Sequence, residues 1–212
     1  DPVILALPRP VLFDSWNVLG GPSLSLLHRR LRDVDLVHSP SLAVPPAGSG
    51  PVVVTIHDAA PLLFPDTYPR RGRWFHETGM RAAARRADLV IAPSQAAADE
   101  IVELSDVHAE RIRVVHQGVD QVEADDDMVR DARGVLGLGD APYVLWVGTL
   151  EPRKNVGVLV SAFDAVVAAG LPHDLVLVGS KGWLDTADTT RGAMQALGTR
   201  VHLTDRVPDD VD

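Results

Sequence analysis

The feature that most constrains this chain is an alternation. Short apolar runs rich in β-branched residues recur between stretches of helical spacing: VVVTI at Val52–Ile56, DLVIA at Asp88–Ala92, YVLWV at Tyr143–Val147 and DLVLV at Asp174–Val178. Each run is strand length, and its lack of polar alternation predicts a strand buried on both faces. The intervening helical patterns are Trp74–Ala87, Gln95–Leu104 behind the N-cap candidate Ser94, and a weaker Thr189–Leu197. A fourth, Val156–Ala169, puts Val156, Leu159, Val160, Phe163 and Val167 on one face. Shorter strand-like pieces at Asp35–His38, Arg111–His116 and Val201–Leu203 extend the series. Pro61, Pro65 and Pro69 exclude a regular helix from 59–71. The fold class this predicts is α/β, with parallel sheets covered by helices on both faces.

The acidic run Glu123–Asp127, EADDD, interrupts the pattern and reads as a solvated linker or helix start. It divides the chain into 1–122, a linker at 123–141, and 142–212. A total of 212 residues fits one large or two small domains at ~150 residues each.

Composition removes several function classes. A net charge of −9 and a pI near 5.3 argue against nucleic acid as the main partner. With no cysteine there is no disulfide framework, thiolate metal site or thiol nucleophile. No apolar run approaches the ~18 residues of a membrane span, and the start has no signal-peptide pattern. A cytoplasmic protein is expected, with peripheral contact at the inner membrane face allowed. The chain also lacks an initiator Met and reads as a piece of a longer one. The histidines outside the HD pair, at 28, 38, 76, 108, 116, 173 and 202, are scattered, with no H-E-x-x-H, and G-x-S-x-G is absent. No metal site is expected.

Two segments carry candidate chemistry. In YVLWVGTLEPRKN, a strand, Gly148 and a short loop lead through Arg153 and Lys154 to a helix N-terminus, with Asn155 as the candidate N-cap. Free N–H groups, the positive end of a helix dipole and two cations suit a diphosphate. Gly148 would let the backbone approach the ligand closely. The other reading of Arg153 and Lys154 is a solvated pair in an ordinary loop. The second segment is His57-Asp58, at the end of the strand VVVTI. Open parallel sheets place ligands at the carboxyl ends of their strands. The other reading there is an Asx-type turn. Trp183, in the loop after Gly179, either lines a cleft or packs.

Taken together, these segments resemble the retaining glycosyltransferases of family 4, which have the GT-B fold. The resemblance runs through DLVHSP at 35–40, VVVTIHDAAPLLFPDTYP at 52–69, RRADLVIAPSQAAADEI at 85–101, RIRVVHQGVD at 111–120, WVGTLEPRKNVGVLVSAF at 146–163 and LVLVGSKGW at 175–183. It implies two Rossmann-like α/β domains flanking a cleft, with 1–122 on the acceptor side and 142–212 as the first half of a nucleotide-sugar-binding domain. It implies a nucleotide-diphosphate sugar donor (GDP-mannose or a UDP-sugar) and a glycan, lipid-linked or small acceptor, with mannosyl transfer as the first choice. Arg153 and Lys154 match the family's pyrophosphate-holding pair and would stabilise the leaving group. Gly148, Thr149, Gly179 and Val207 match donor-contacting positions, the segment Arg206-Val207 being where the base is read. His57 matches a position facing both donor sugar and acceptor, with Asp58 beside it. No cofactor is implied, and the cations make a metal unnecessary. The family's E-x(7)-E motif does not occur, so the second domain is expected to be truncated. Two other classes fit this architecture: a nucleotide-sugar epimerase and a non-catalytic scaffold.

Overall fold

The computed structural model describes residues 3–46, 48, 50–121, 123–180, 182 and 188–204. The chain divides into two compact units, Asp1–Val119 and Asp120–Asp212. Helices α1 (Arg9–Asp14) and α2 (Leu24–Leu27) open the first unit, ahead of strands β1 (Val37–Ser39) and β2 (Val52–Thr55). A single turn α3 (Ala60–Leu63) and the long α4 (Arg70–Arg86) follow, then β3 (Leu89–Ala92), α5 (Gln95–Leu104) and β4 (Ile112–Val114). The second unit contains α6 (Asp126–Val135), β5 (Tyr143–Val147), α7 (Val156–Ala168), β6 (Asp174–Val178), α8 (Asp188–Leu197) and β7 (Val201–Thr204). All strand pairs are parallel, in the orders β1-β2-β3-β4 and β5-β6-β7.

Among the described residues both sheets advance in a single direction without reversing. Right-handed crossovers in such a sheet all fall on the same side. Helices α4 and α5 accordingly pack Met80, Ala82, Ala83, Ala97, Ala98 and Ile101 against one face, formed by Val37, Val52, Val54, Ile56, Val90, Ala92 and Ile112. Likewise, Val156, Val160 and Phe163 of α7 and Leu197 of α8 pack on Leu175 and Leu177, with Trp146 and Val201 alongside. Among the described residues β5 lies at the edge of the three-stranded sheet, with Leu145 53% and Val147 68% exposed on the face away from α7 and α8.

Local signals explain most element ends. Ser94 caps α5, its hydroxyl accepting from the Ala97 N–H at 3.1 Å. Ser94→Ala is expected to cost about 1 kcal/mol in urea unfolding, and a cost near zero would show that the cap is replaceable. Within the segment expected to be a linker, Asp125 accepts from the Met128 N–H at 2.8 Å and starts α6, so the acidic run begins a helix. Helix α4 starts at Arg70 behind Pro69, four residues before Trp74, because proline is compatible with a helix entrance. Helix α1 likewise has Pro10 in its first turn, a start masked in the sequence by two prolines. No helix among the described residues is long and apolar enough to cross a membrane.

Candidate active site

The phosphate-type candidate is built in the second unit from the loops after β5 and β6. Three backbone bonds tie these loops together. Gly148 N–H donates to Val178 O at 2.9 Å, Leu150 N–H to Ser180 O at 3.0 Å, and Gly182 N–H to Leu150 O at 2.9 Å. Gly179 sits at φ 147° with its backbone against that of Gly148, where an added Cβ would lie 1.8 Å from Gly148 O. Gly148 is less constrained, its nearest clash being 3.2 Å from the Trp146 ring. Thr149, next along the chain, is half-buried.

Beyond Leu150 the chain makes one 3₁₀ turn, Pro152–Lys154, in which Lys154 N–H bonds Glu151 O and Asn155 N–H bonds Pro152 O. Asn155 does occupy the N-cap of α7, but not by the expected means. It is the one non-glycine residue at positive φ among those described (φ 49°, ψ 41°), and its side chain makes no capping bond. Asparagine tolerates this left-handed conformation better than most residues. Asn155 thus gives the first turn of α7 no side-chain cap, and the cations enter from the turn just before it.

Those two cations are held differently. Lys154 is exposed. The Arg153 side chain is 28% exposed and pairs through Nη2 with Glu151 Oε1 at 2.5 Å, while the Glu151 side chain is only 2% exposed. Pattern reading singled out Arg153 and Lys154 and passed over Glu151, because a Glu beside a Pro in a loop ordinarily signals solvent.

In the first unit, His57 lies at the carboxyl end of the sheet, just past β2. Its Nε2 is 3.1 Å from Pro40 O and its Nδ1 3.3 Å from the Gln117 amide nitrogen. A carbonyl only accepts, so Nε2 carries the hydrogen. In the neutral ring Nδ1 then accepts from Gln117; a flipped carboxamide would serve the protonated ring. Loops after β1, β2 and β4 thus converge on one imidazole. Gln117 is a second residue that pattern reading missed. Asp58 accepts from the Ala60 N–H at 3.0 Å and so also performs the turn-capping role. His116 bonds Pro93 O at 3.1 Å, beside the same sheet edge. Trp183, Arg206 and Val207 lie outside the described residues. Among the described residues no group of three His, Cys, Asp or Glu is placed to hold a metal ion.

Two parallel α/β units, each with its polar candidates at the carboxyl ends of the strands, define the class as Rossmann-like. The family follows from comparison: the model of Glycosyltransferase Family 4 matches residues 2–123, and the chain belongs to that family. The O-antigen chain mannosyltransferase B of Escherichia coli is 24% identical over 180 residues, 84% of this chain and 47% of that protein. The serotype-specific mannosyltransferase WbdA of Escherichia coli is 30% identical over 140 residues, 62% of this chain and 17% of that protein. The chain therefore spans about half, or less, of the length of these relatives. Among solved structures, Anabaena Alr3699/HepE in complex with UDP-glucose superposes with a TM-score of 0.67 at 22% identity, over 85% of this chain and 50% of that one. That likeness agrees with the GT-B class implied by the resemblance.

Proposed function

We propose that the full-length protein transfers a hexose from a nucleotide-diphosphate sugar to a glycan, lipid-linked or small acceptor, with retention at the anomeric carbon. The observation that carries the reading is the pair Arg153 and Lys154, presented immediately before the N-terminus of α7, which the Asn155 side chain does not cap, at the carboxyl end of β5. In this reading they hold the donor pyrophosphate and stabilise the charge that develops as it leaves, so no metal is needed. Each charge-assisted bond contributes about 1.5–3 kcal/mol. Gly148, Thr149 and Gly179 form the backbone floor, and Val207 belongs to the stretch that reads the base. His57 serves the acceptor side with Asp58 beside it, and the leaving phosphate helps take the acceptor proton.

Mannose is the first choice of sugar, supported by the two Escherichia coli mannosyltransferases, which makes GDP-mannose the leading donor. The UDP-glucose complex of HepE supports the wider class of nucleotide-sugar donors. The domain division 1–122, 123–141 and 142–212, a cytoplasmic location and peripheral contact with the inner membrane face belong to the same proposal.

In the full-length protein, Arg153→Ala and Lys154→Ala are each expected to raise donor KM or lower kcat by at least a factor of ten. Steady-state kinetics with GDP-mannose and UDP-sugars measures this. Unaltered kinetics in both variants would remove the pyrophosphate role. Donor conversion without any acceptor would identify an epimerase instead.

A further inference from the structure

We infer that Glu151 is a positioning residue for the donor site: its buried carboxylate holds the Arg153 guanidinium in place before any ligand arrives. This rests on the pyrophosphate reading of Arg153 and adds to it a residue that grips the cation from beneath.

Three observations carry the inference. Among the described residues, Glu151 is the one charged residue in the buried set. A carboxylate removed from water is strongly unfavourable unless an opposite charge meets it. Arg153 meets it, from only two positions along the chain, with Nη2 2.5 Å from Oε1. The second observation is the enclosure of Glu151. Gly182, from the neighbouring loop, lies over it so closely that an added Cβ would come within 3.0 Å of Glu151 Cβ and 2.6 Å of Leu150 O. The same loop donates its Gly182 N–H to Leu150 O. The base of the Glu151 side chain is thus enclosed by the neighbouring loop, while its carboxylate meets Arg153.

The third observation is the contrast with Lys154, which is exposed at the end of the same turn. A lysine is a mobile point charge, whereas a guanidinium is a rigid fork whose five donors can serve an internal carboxylate and an external anion together. Fixing that fork beforehand spares the ordering cost that ligand binding would otherwise carry. In this division of labour, Lys154 supplies charge and Arg153 supplies geometry, and Glu151 sets the geometry.

The test uses the full-length protein with GDP and UDP as probes, read by calorimetry, alongside donor and acceptor KM. Glu151→Gln keeps the shape of the side chain and removes its charge. It is expected to weaken binding of the better nucleotide at least fivefold and to raise donor KM, leaving acceptor KM unchanged. In an Arg153→Ala background the same substitution should have no further effect, whereas in a Lys154→Ala background its full effect should persist. A full effect of Glu151→Gln in the absence of Arg153 would show that Glu151 acts on the fold at large, and would overturn the inference. So would unchanged binding in Glu151→Gln while Arg153→Ala is impaired. If neither Arg153→Ala nor Lys154→Ala weakens binding, the pyrophosphate reading itself fails. Should Glu151→Gln not fold, Glu151→Asp withdraws the carboxylate by one methylene from the guanidinium and carries the same comparison.

Discussion

Gly179→Ala is expected to be among the most damaging single substitutions in the second unit, costing about 3–5 kcal/mol in urea unfolding. Two effects act together. Gly179 has φ 147°, a backbone conformation that side chains rarely adopt, and its Cβ would lie 1.8 Å from Gly148 O. The obstructing atom is backbone, so no rotamer change relieves the contact. Gly148 cannot retreat without straining the bond from its N–H to Val178 O, and Leu150 N–H to Ser180 O lies just beyond. Against a typical total stability of about 5–15 kcal/mol, that loss is large. Gly170→Ala is the control. Gly170 also has positive φ, at 76°, but an added Cβ meets nothing within 4 Å, so only the left-handed penalty of about 1–2 kcal/mol applies. Equal losses in the two variants would show that the contact between the β5 and β6 loops is not what makes glycine necessary at 179.

The second large effect separates the two cations by stability, independently of any substrate. Arg153→Ala is expected to destabilise by about 3–5 kcal/mol, because it leaves the Glu151 carboxylate buried without its partner. Lys154→Ala should stay within about 0.5 kcal/mol, as an exposed side chain away from the core. Adding Glu151→Gln to Arg153→Ala should return part of the loss, since a buried neutral amide is far less unfavourable than a buried lone charge. Denaturant unfolding of the three variants measures this. An Arg153→Ala variant as stable as Lys154→Ala would show that the ion pair is not retained in solution.

The candidate site was legible in the sequence to the extent that chemistry sits in contiguous motifs. Arg153, Lys154, Asn155 and the start of α7 at Val156 could be read from one loop, because helix termini carry local signals. His57 and Asp58 could be placed at a strand end for the same reason. Glu151 and Gln117 could not. Glu151 is buried because a loop some thirty residues further on covers it, and Gln117 meets His57 across 60 residues of sequence. Neither relation leaves a pattern in the local spacing.

The sequence alone decided the element types, most of their boundaries and the α/β class, since these follow from periodicity, capping and turn residues acting over a few positions. The same local signals located the basic turn before α7. Strand order was settled only by the tertiary structure. Among the described residues the orders are β1-β2-β3-β4 and β5-β6-β7, set by pairings between residues distant in sequence, which no local spacing records. Tertiary packing also decided that Gly179 has no substitute and that Arg153 rests on a buried carboxylate. Burial depends on what the rest of the chain brings alongside, and composition cannot state that.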